Sequence, residues 1–132
     1  METEKIYNSV KKSIIESCGV AAEKIHPDAT LFNDLGIDSI DLVDILYNVE
    51  REYKIKLKVS DINKRAKVAL DGKPFDIDGK ITPEGLSVLR ENMPELNQKK
   101  LVPGLTIYDL IQLLTVRSLC NMVQFKLAEK NA

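Results

Sequence analysis

The sequence predicts an all-α protein, a small helical bundle with a folded insert of short helices and a small β-hairpin. Apolar residues recur at intervals of three and four in three long segments, which is the period of amphipathic helices. The 132 residues suffice for one domain with its own core. A content of 44% hydrophobic and 30% charged residues is typical of an ordinary globular chain.

The first helix and the loop after it are predicted from this spacing. Residues 4–18 carry apolar side chains four apart, and Gly19 provides a C-cap. Residues 20–37 contain Pro27 and are expected to form a long loop, of a length that often serves a function. Its apolar anchors to the core are Ile25, Leu31, Phe32 and Leu35.

The second and last long helices have clear starts. Asp38 or Ser39 caps a helix that runs to about Tyr53, and Asp41 completes a short form of the capping box. The core stripe of this helix is predicted to be Leu42, Ile45, Leu46, Val49 and Tyr53. The last helix follows Thr115, with the core stripe Val116, Leu119, Cys120, Val123 and Leu127.

Between these helices the sequence predicts further short elements. Ser60 is expected to cap a helix through about Leu70, broken by the turn residues that follow it. Its apolar positions are Ile62, Ala66, Val68 and Ala69. Asp78-Gly79 favours a two-strand hairpin, and Thr82-Pro83 starts a helix to Met93. Thr106 caps a short helix with the apolar residues Ile107, Leu110, Leu113 and Leu114.

These segments are too poor in apolar residues to form a core of their own. We therefore expect one domain over 1–132, with a core of 4–64 and 105–129 and an insert of about 66–104 packed on the bundle. The expected contact surface is on the final helix: Leu119, Met122, Val123 and Phe125.

Charge is distributed unevenly along the chain. Residues 28–50 contain six acids and no base: Asp28, Asp34, Asp38, Asp41, Asp44 and Glu50. Residues 54–73 contain seven bases against two acids: Lys54, Lys56, Lys58, Lys64, Arg65, Lys67 and Lys73 against Asp61 and Asp71. Such a polarised surface steers charged partners.

Several functional classes lack support. Cys18, Cys120 and His26 do not form a metal-ligand spacing, and no catalytic constellation is apparent, so we expect neither a metal site nor an enzyme. The N-terminus lacks a signal sequence and no apolar run is long enough to span a membrane. We expect a cytoplasmic monomer with reduced, buried thiols, without membrane insertion and without bound nucleic acid.

Residues 76–84 offer a competing interpretation as a calcium loop. Asp76, Asp78 and Gly79 match the middle of an EF-hand loop. In that register the first and twelfth positions are Pro74 and Gly85, so two required carboxylates are missing. A hairpin turn is therefore favoured, and a calcium-responsive helical module remains the weaker alternative.

The segment around Ser39 carries the most specific signal. Its hydroxyl follows a glycine-containing turn, with Asp38 before it and no nearby base in the sequence to make it a nucleophile. This pattern suits a serine that another enzyme modifies at a helix start. Residues Leu35-Gly36-Ile37-Asp38-Ser39-Ile40, continued by Asp41, Asp44, Ile45 and Glu50, resemble the acyl carrier protein family.

The resemblance covers roughly residues 4–64 and 105–129 and implies a covalent cofactor. In that family a phosphopantetheinyl transferase moves 4′-phosphopantetheine from coenzyme A to a serine, which corresponds to Ser39, with Asp38 beside it. Acyl-transferring and synthase enzymes with basic patches then dock on the second helix. The corresponding docking residues are Asp38, Ile40, Asp41, Val43, Asp44, Tyr47 and Glu50. The alternative for the four acids is an ordinary solvated helix face, and the alternative for Ile40, Val43 and Tyr47 is a place in the core.

Carrier bundles of this family also sequester acyl chains. The corresponding pocket residues are Leu31, Leu42, Ile45, Leu46 and Val49, each of which is equally suited to an ordinary core. The resemblance thus implies a carrier that holds acyl intermediates as thioesters in fatty acid, lipid or polyketide synthesis. An aminoacyl or peptidyl carrier and a carrier-fold interaction protein without acyl transfer remain alternatives.

Overall fold

A computed structural model of the chain describes residues 2–58, 61 and 64–131 and shows a mainly helical fold, as predicted. The elements in chain order are α1 (Glu2–Cys18), α2 (Ser39–Tyr53), α3 (Lys64–Val68), β1 (Asp76–Ile77), β2 (Lys80–Ile81), α4 (Pro83–Asn92), α5 (Ile107–Gln112) and α6 (Val116–Asn131). Short 3-10 turns occur at Ala22–Lys24 and Gln98–Lys100.

Helix α1 packs against both α2 and α6. It ends at Gly19, which has the left-handed φ of +67° expected of a C-cap and donates its N–H to Ile15 O at 2.9 Å. A hydrogen bond of 3.3 Å from Ser13 Oγ to Ile45 O links α1 to α2. The predicted first helix and its end are confirmed.

The loop between α1 and α2 is pinned to the start of α6. Leu31 N donates to Leu114 O at 2.9 Å, and Val116 N donates to Ala29 O at 3.0 Å. Three of its four predicted anchors (Ile25, Leu31 and Leu35) are buried, and Phe32 is partly buried against the core. These contacts hold the loop in place just before the start of α2.

The predicted hairpin is confirmed. Asp78 and Gly79 have φ values of 52° and 84°, so both central residues adopt the left-handed conformation that a type I′ turn needs. Asp76 Oδ2 accepts the N–H of Gly79 at 3.3 Å, so this carboxylate serves the turn. Strand β2 also pairs with the segment before α5, because Ile81 N donates to Leu105 O at 2.9 Å.

The caps of α4 and α5 lie where the sequence predicts them. Thr82 Oγ1 accepts the N–H of Gly85 at 3.0 Å and donates to Pro74 O at 2.9 Å. A side chain on Gly85 would place its Cβ 2.6 Å from Phe75 O, so glycine is required where α4 crosses this backbone. Thr106 forms a capping box with Asp109.

Residues of the 66–104 segment share a buried apolar cluster with the long helices. The buried apolar residues of α4 and the turn after it are Leu86, Val88, Leu89, Met93 and Leu96. Helix α3 packs on both α4 and α6. Glu95 accepts hydrogen bonds from Ser118 Oγ at 3.0 Å and from Asn121 Nδ2 at 3.4 Å, both on α6. Of the predicted contact surface, Leu119, Met122 and Val123 are buried and Phe125 is half-buried.

The prediction for α3 was partly wrong. The helix ends at Val68, whose side chain is 61% exposed, and Ala69 is exposed as well. The predicted apolar position Ala66 is buried, whereas residue 68, two positions further on, lies on another face of the helix. Leu70, in the turn after the helix, is buried as well. The predicted cap Ser60 and the apolar Ile62 lie outside the described residues.

Three further features bear on function. Among the described helices, none combines the length and the apolar character that a membrane crossing requires. Within residues 2–58, 61 and 64–131, no group of three or more His, Cys, Asp or Glu side chains is placed to hold a metal. Cys120 is buried and Cys18 half-buried, and burial is the main cause that raises the pKa of each thiol to about 11.

Candidate functional site

The start of α2 is built by a complete capping box. Asp38 Oδ1 accepts the N–H of Asp41 at 2.8 Å, and Asp41 Oδ2 accepts the N–H of Asp38 at 3.1 Å. Asp38, rather than Ser39, is therefore the N-cap, and Ser39 is the first residue of the helix. The turn before it positions this start, because Gly36 has a φ of +67° and Ile37 N donates to Leu31 O at 3.1 Å.

The Ser39 hydroxyl is available for modification. Its side chain is exposed, and within the described part of the chain its Oγ takes no part in a hydrogen bond. The backbone N–H groups of Ser39 and Ile40 have no intrahelical partner, as at any helix start. An oxyanion attached to Ser39 Oγ would therefore meet free donors and the positive end of the helix dipole.

An exposed apolar strip continues from Ser39 along α2. Ile40, Val43 and Tyr47 are 73%, 55% and 56% exposed, so they are not part of the core. They are spaced at three and four, which places them on one side of the helix with the exposed Asp44 among them. The structure thus brings together Ser39, three apolar side chains and acidic residues on one face.

The acidic residues of α2 differ in their roles. Asp44 is exposed, whereas Asp38 and Asp41 each use one carboxylate oxygen in the cap. The negative charges of these three carboxylates also act on the thiol of Cys18, at the end of α1. After burial, the charges of Asp41, Asp38 and Asp44 are the causes that raise the pKa of Cys18.

Glu50 makes a structural contact that the sequence pattern does not indicate. It is half-buried, and its Oε2 accepts the N–H of Leu57 at 2.8 Å. The chain reverses at Lys54, which has a left-handed φ of 57°, and this reversal brings Leu57 back to Glu50. Glu50 therefore holds the segment after α2 through one carboxylate oxygen, and its place in the docking set stays a prediction.

Arg51, which the sequence interpretation does not include in the site, lies at the end of the apolar strip. The Arg51 guanidinium carbon lies 5.1 Å from the centre of the Tyr47 ring, which is a cation–π distance. A tyrosine followed four residues later by an arginine was the signal available in the sequence. The strip thus begins beside negative charge and ends beside a positive charge.

The five residues that correspond to an acyl pocket lie in the core. Their exposed fractions range from 0% to 5%, for Leu31, Leu42, Ile45, Leu46 and Val49. Together they place apolar side chains of the long loop and of the inner face of α2 in one buried cluster. An acyl chain among them would have to displace existing side-chain packing.

Comparison with known proteins gives a consistent result. The family model of the phosphopantetheine attachment site matches residues 8–69. The acyl carrier protein of Nitratidesulfovibrio vulgaris strain DP4 is 36% identical over 63 residues, which span 48% of this chain and 83% of that protein. The acyl carrier protein of Thermotoga maritima is 39% identical over 61 residues, 46% of this chain and 75% of that protein.

A third relative matches over a longer span. The acyl carrier protein of Karelsulcia muelleri is 35% identical over 78 residues, 52% of this chain and 94% of that protein. No solved structure gives a significant match. Because these relatives are matched over most of their length, and because the model of the attachment site spans the helix that begins at Ser39, this chain belongs to the acyl carrier protein family and is a carrier protein with a phosphopantetheine attachment domain.

Proposed function

We propose that Ser39 is the attachment residue for 4′-phosphopantetheine and that the chain carries acyl intermediates to partner enzymes. The observation that supports this most directly is the exposed hydroxyl at the start of α2, which has no hydrogen-bond partner among the described residues. Asp38 already provides the cap, so Ser39 is free for another role. The intact mass of the protein after reaction with coenzyme A and a phosphopantetheinyl transferase tests this attachment.

The residues at the start of α2 fit the group. A phosphodiester on Ser39 Oγ would lie beside the free N–H groups of the first turn, which offset the repulsion from the neighbouring carboxylates. Asp38 orients the turn through its hydrogen bond to Asp41 and so fixes where the arm leaves the surface. When attached, the arm supplies a thiol that holds acyl groups as thioesters. We propose that the chain itself carries out no catalytic step.

We further propose that partner enzymes dock on the exposed side of α2. Ile40, Val43 and Tyr47 offer apolar contact area, and Asp38, Asp41 and Asp44 favour a basic partner surface. This set lies next to Ser39, so a partner that covers it would meet the arm at its origin. The phosphopantetheinyl transferase and acyl-transferring or synthase enzymes are the partners of this kind.

Charge reversal at Asp44 provides the sharpest test of docking. Asp44→Lys should slow modification of Ser39 by about 10-fold at low salt, because the surface charge of α2 steers association. The measurement is the rate of mass gain with a transferase at two ionic strengths. Asp41→Lys is less suitable, because it also removes the hydrogen bond from Asp38 N to Asp41 Oδ2 and should cost about 1 kcal/mol of stability.

The matched control is Glu91→Lys, an equal charge change at an exposed position of α4. This variant should be modified at the wild-type rate. If Asp44→Lys and Glu91→Lys slow the reaction equally, net charge rather than α2 determines the rate, and the docking proposal is wrong.

The nature of the cargo is tested through stability. If the buried cluster around Ile45, Leu46 and Val49 takes up a long acyl tail, acylated protein should melt at a higher temperature than the form with a free thiol. The increase should grow with chain length as more apolar surface is buried. Melting temperatures that do not depend on chain length would instead support a small or polar cargo, such as an aminoacyl group.

A further inference from the structure

A basic pocket lies at the end of α2 that is remote from Ser39. Its volume is about 490 Å³, and its lining residues are Lys54, Ile55, Lys56, Lys126, Glu129 and Lys130. Helix α2 runs from Ser39 to Tyr53, which at 1.5 Å per residue separates the two ends by about 21 Å. The proposed function of α2 makes no use of this pocket.

The positive charge of the pocket is only partly neutralised. Glu129 Oε1 is shared between Lys64 at 3.3 Å and Lys126 at 3.8 Å, and Lys126 also pairs with Asp61 at 3.8 Å. In the described part of the chain, no carboxylate forms an ion pair with the other three lysines of the pocket, Lys54, Lys56 and Lys130.

The fold brings these three lysines together from distant parts of the sequence. Lys54 and Lys56 follow α2, and Lys130 lies near the end of α6. Lys130 Nζ donates to Lys54 O at 3.0 Å, so the two segments are in direct contact. All three side chains are exposed. Their like charges repel one another, and an anion bound between them would relieve this repulsion.

We propose that this basic pocket binds an acidic segment of a partner protein. Separate ammonium groups on flexible, exposed side chains suit carboxylates that are spread along a peptide. The site differs from the α2 docking face in position and in sign of charge. A partner bound there leaves Ser39 and the apolar strip free, so a carrier can remain tethered while its arm reaches a second enzyme.

Other anions fit the pocket less well. The pocket lies where α2 and α6 end, and the C-terminal ends of helices carry partial negative charge, whereas compact phosphate sites use N-terminal N–H groups. The apolar lining residue, Ile55, is only 7% exposed, so it offers no anchor for insertion into a lipid surface. Of the lining residues that the structure describes, none is aromatic, so none offers a ring for stacking of nucleic-acid bases.

A labelled polyglutamate peptide tests the proposal on the unmodified protein, so the result does not depend on Ser39. Fluorescence anisotropy should show binding at about 20 mM salt that weakens at about 150 mM salt, because added salt shortens the distance over which the charges attract one another. The double variant Lys54→Glu and Lys56→Glu should bind at least about 10-fold more weakly. Lys130→Glu, on the other helix, should weaken binding as well.

The matched control is Lys99→Glu with Lys100→Glu, which makes the same charge change at exposed positions away from the pocket. The control should retain affinity to within about 2-fold, and amide NMR signals of residues 54–56 and 126–130 should shift with peptide. Equal losses in both double variants would overturn the proposal, as would unshifted signals. Binding to phosphatidylserine vesicles without binding to the peptide would identify a membrane surface instead and would equally overturn it.

Discussion

Replacing Leu89 by alanine should lower the free energy of unfolding of the whole chain by about 2–5 kcal/mol, the range of large-to-small substitutions in a core. Leu89 lies on α4 within the 66–104 segment and is fully buried. It belongs to the same apolar cluster as residues of α1, α2 and α6. A cavity at this position should therefore destabilise the bundle as well as the insert. Urea denaturation, followed by far-UV circular dichroism, measures the effect.

Val68→Ala is the matched control for this prediction. Val68 lies in the same segment but is 61% exposed, so its truncation should change the free energy of unfolding by less than about 0.5 kcal/mol. Amide exchange adds a second readout, in which the amides of Leu86 and Leu89 should be protected as strongly as those of α1. A separate early transition for the insert, with an unchanged bundle, would show that residues 66–104 form a loose appendage.

Local sequence signals account for most of the element boundaries. Asp38 accepts the N–H of Asp41, Thr82 that of Gly85 and Thr106 that of Asp109, so these helix starts could be predicted from neighbouring residues alone. Pro83, which has no N–H, suits the first position of α4. The same holds for the hairpin at Asp78-Gly79. The buried face of the short helix α3 was harder to predict. Ala66 and Val68 are both apolar, and only the side that contacts α4 makes Ala66 buried and leaves Val68 exposed.

The candidate site depends on tertiary packing as well as on local sequence signals. The position of Ser39 follows from the motif, but the spacing of Ile40, Val43 and Tyr47 suits a core and a docking face equally well. Only packing of α2 on α1 determines that they are exposed. The contact between Glu50 and Leu57 depends on a chain reversal, and the basic pocket depends on the approach of α6 to the end of α2. Both arise from tertiary structure.

Replacing Ser39 by alanine should abolish attachment of phosphopantetheine and leave the fold intact. The substitution removes the only atom to which the phosphodiester is proposed to bind, so the loss should be complete rather than gradual. Asp38 remains as the N-cap, and the Ser39 side chain is exposed, so the free energy of unfolding should change by less than about 0.5 kcal/mol. Ser87→Ala, at an exposed serine of α4, is the matched control.

The intact mass of the protein after incubation with coenzyme A and a phosphopantetheinyl transferase tests the central proposal most directly. Wild-type protein and Ser87→Ala should each gain about 340 Da, and peptide mapping should place the added group on Ser39. Ser39→Ala should gain nothing under the same conditions. The proposal is contradicted if the wild-type mass does not change with an active transferase, or if Ser39→Ala gains the same mass as the wild type.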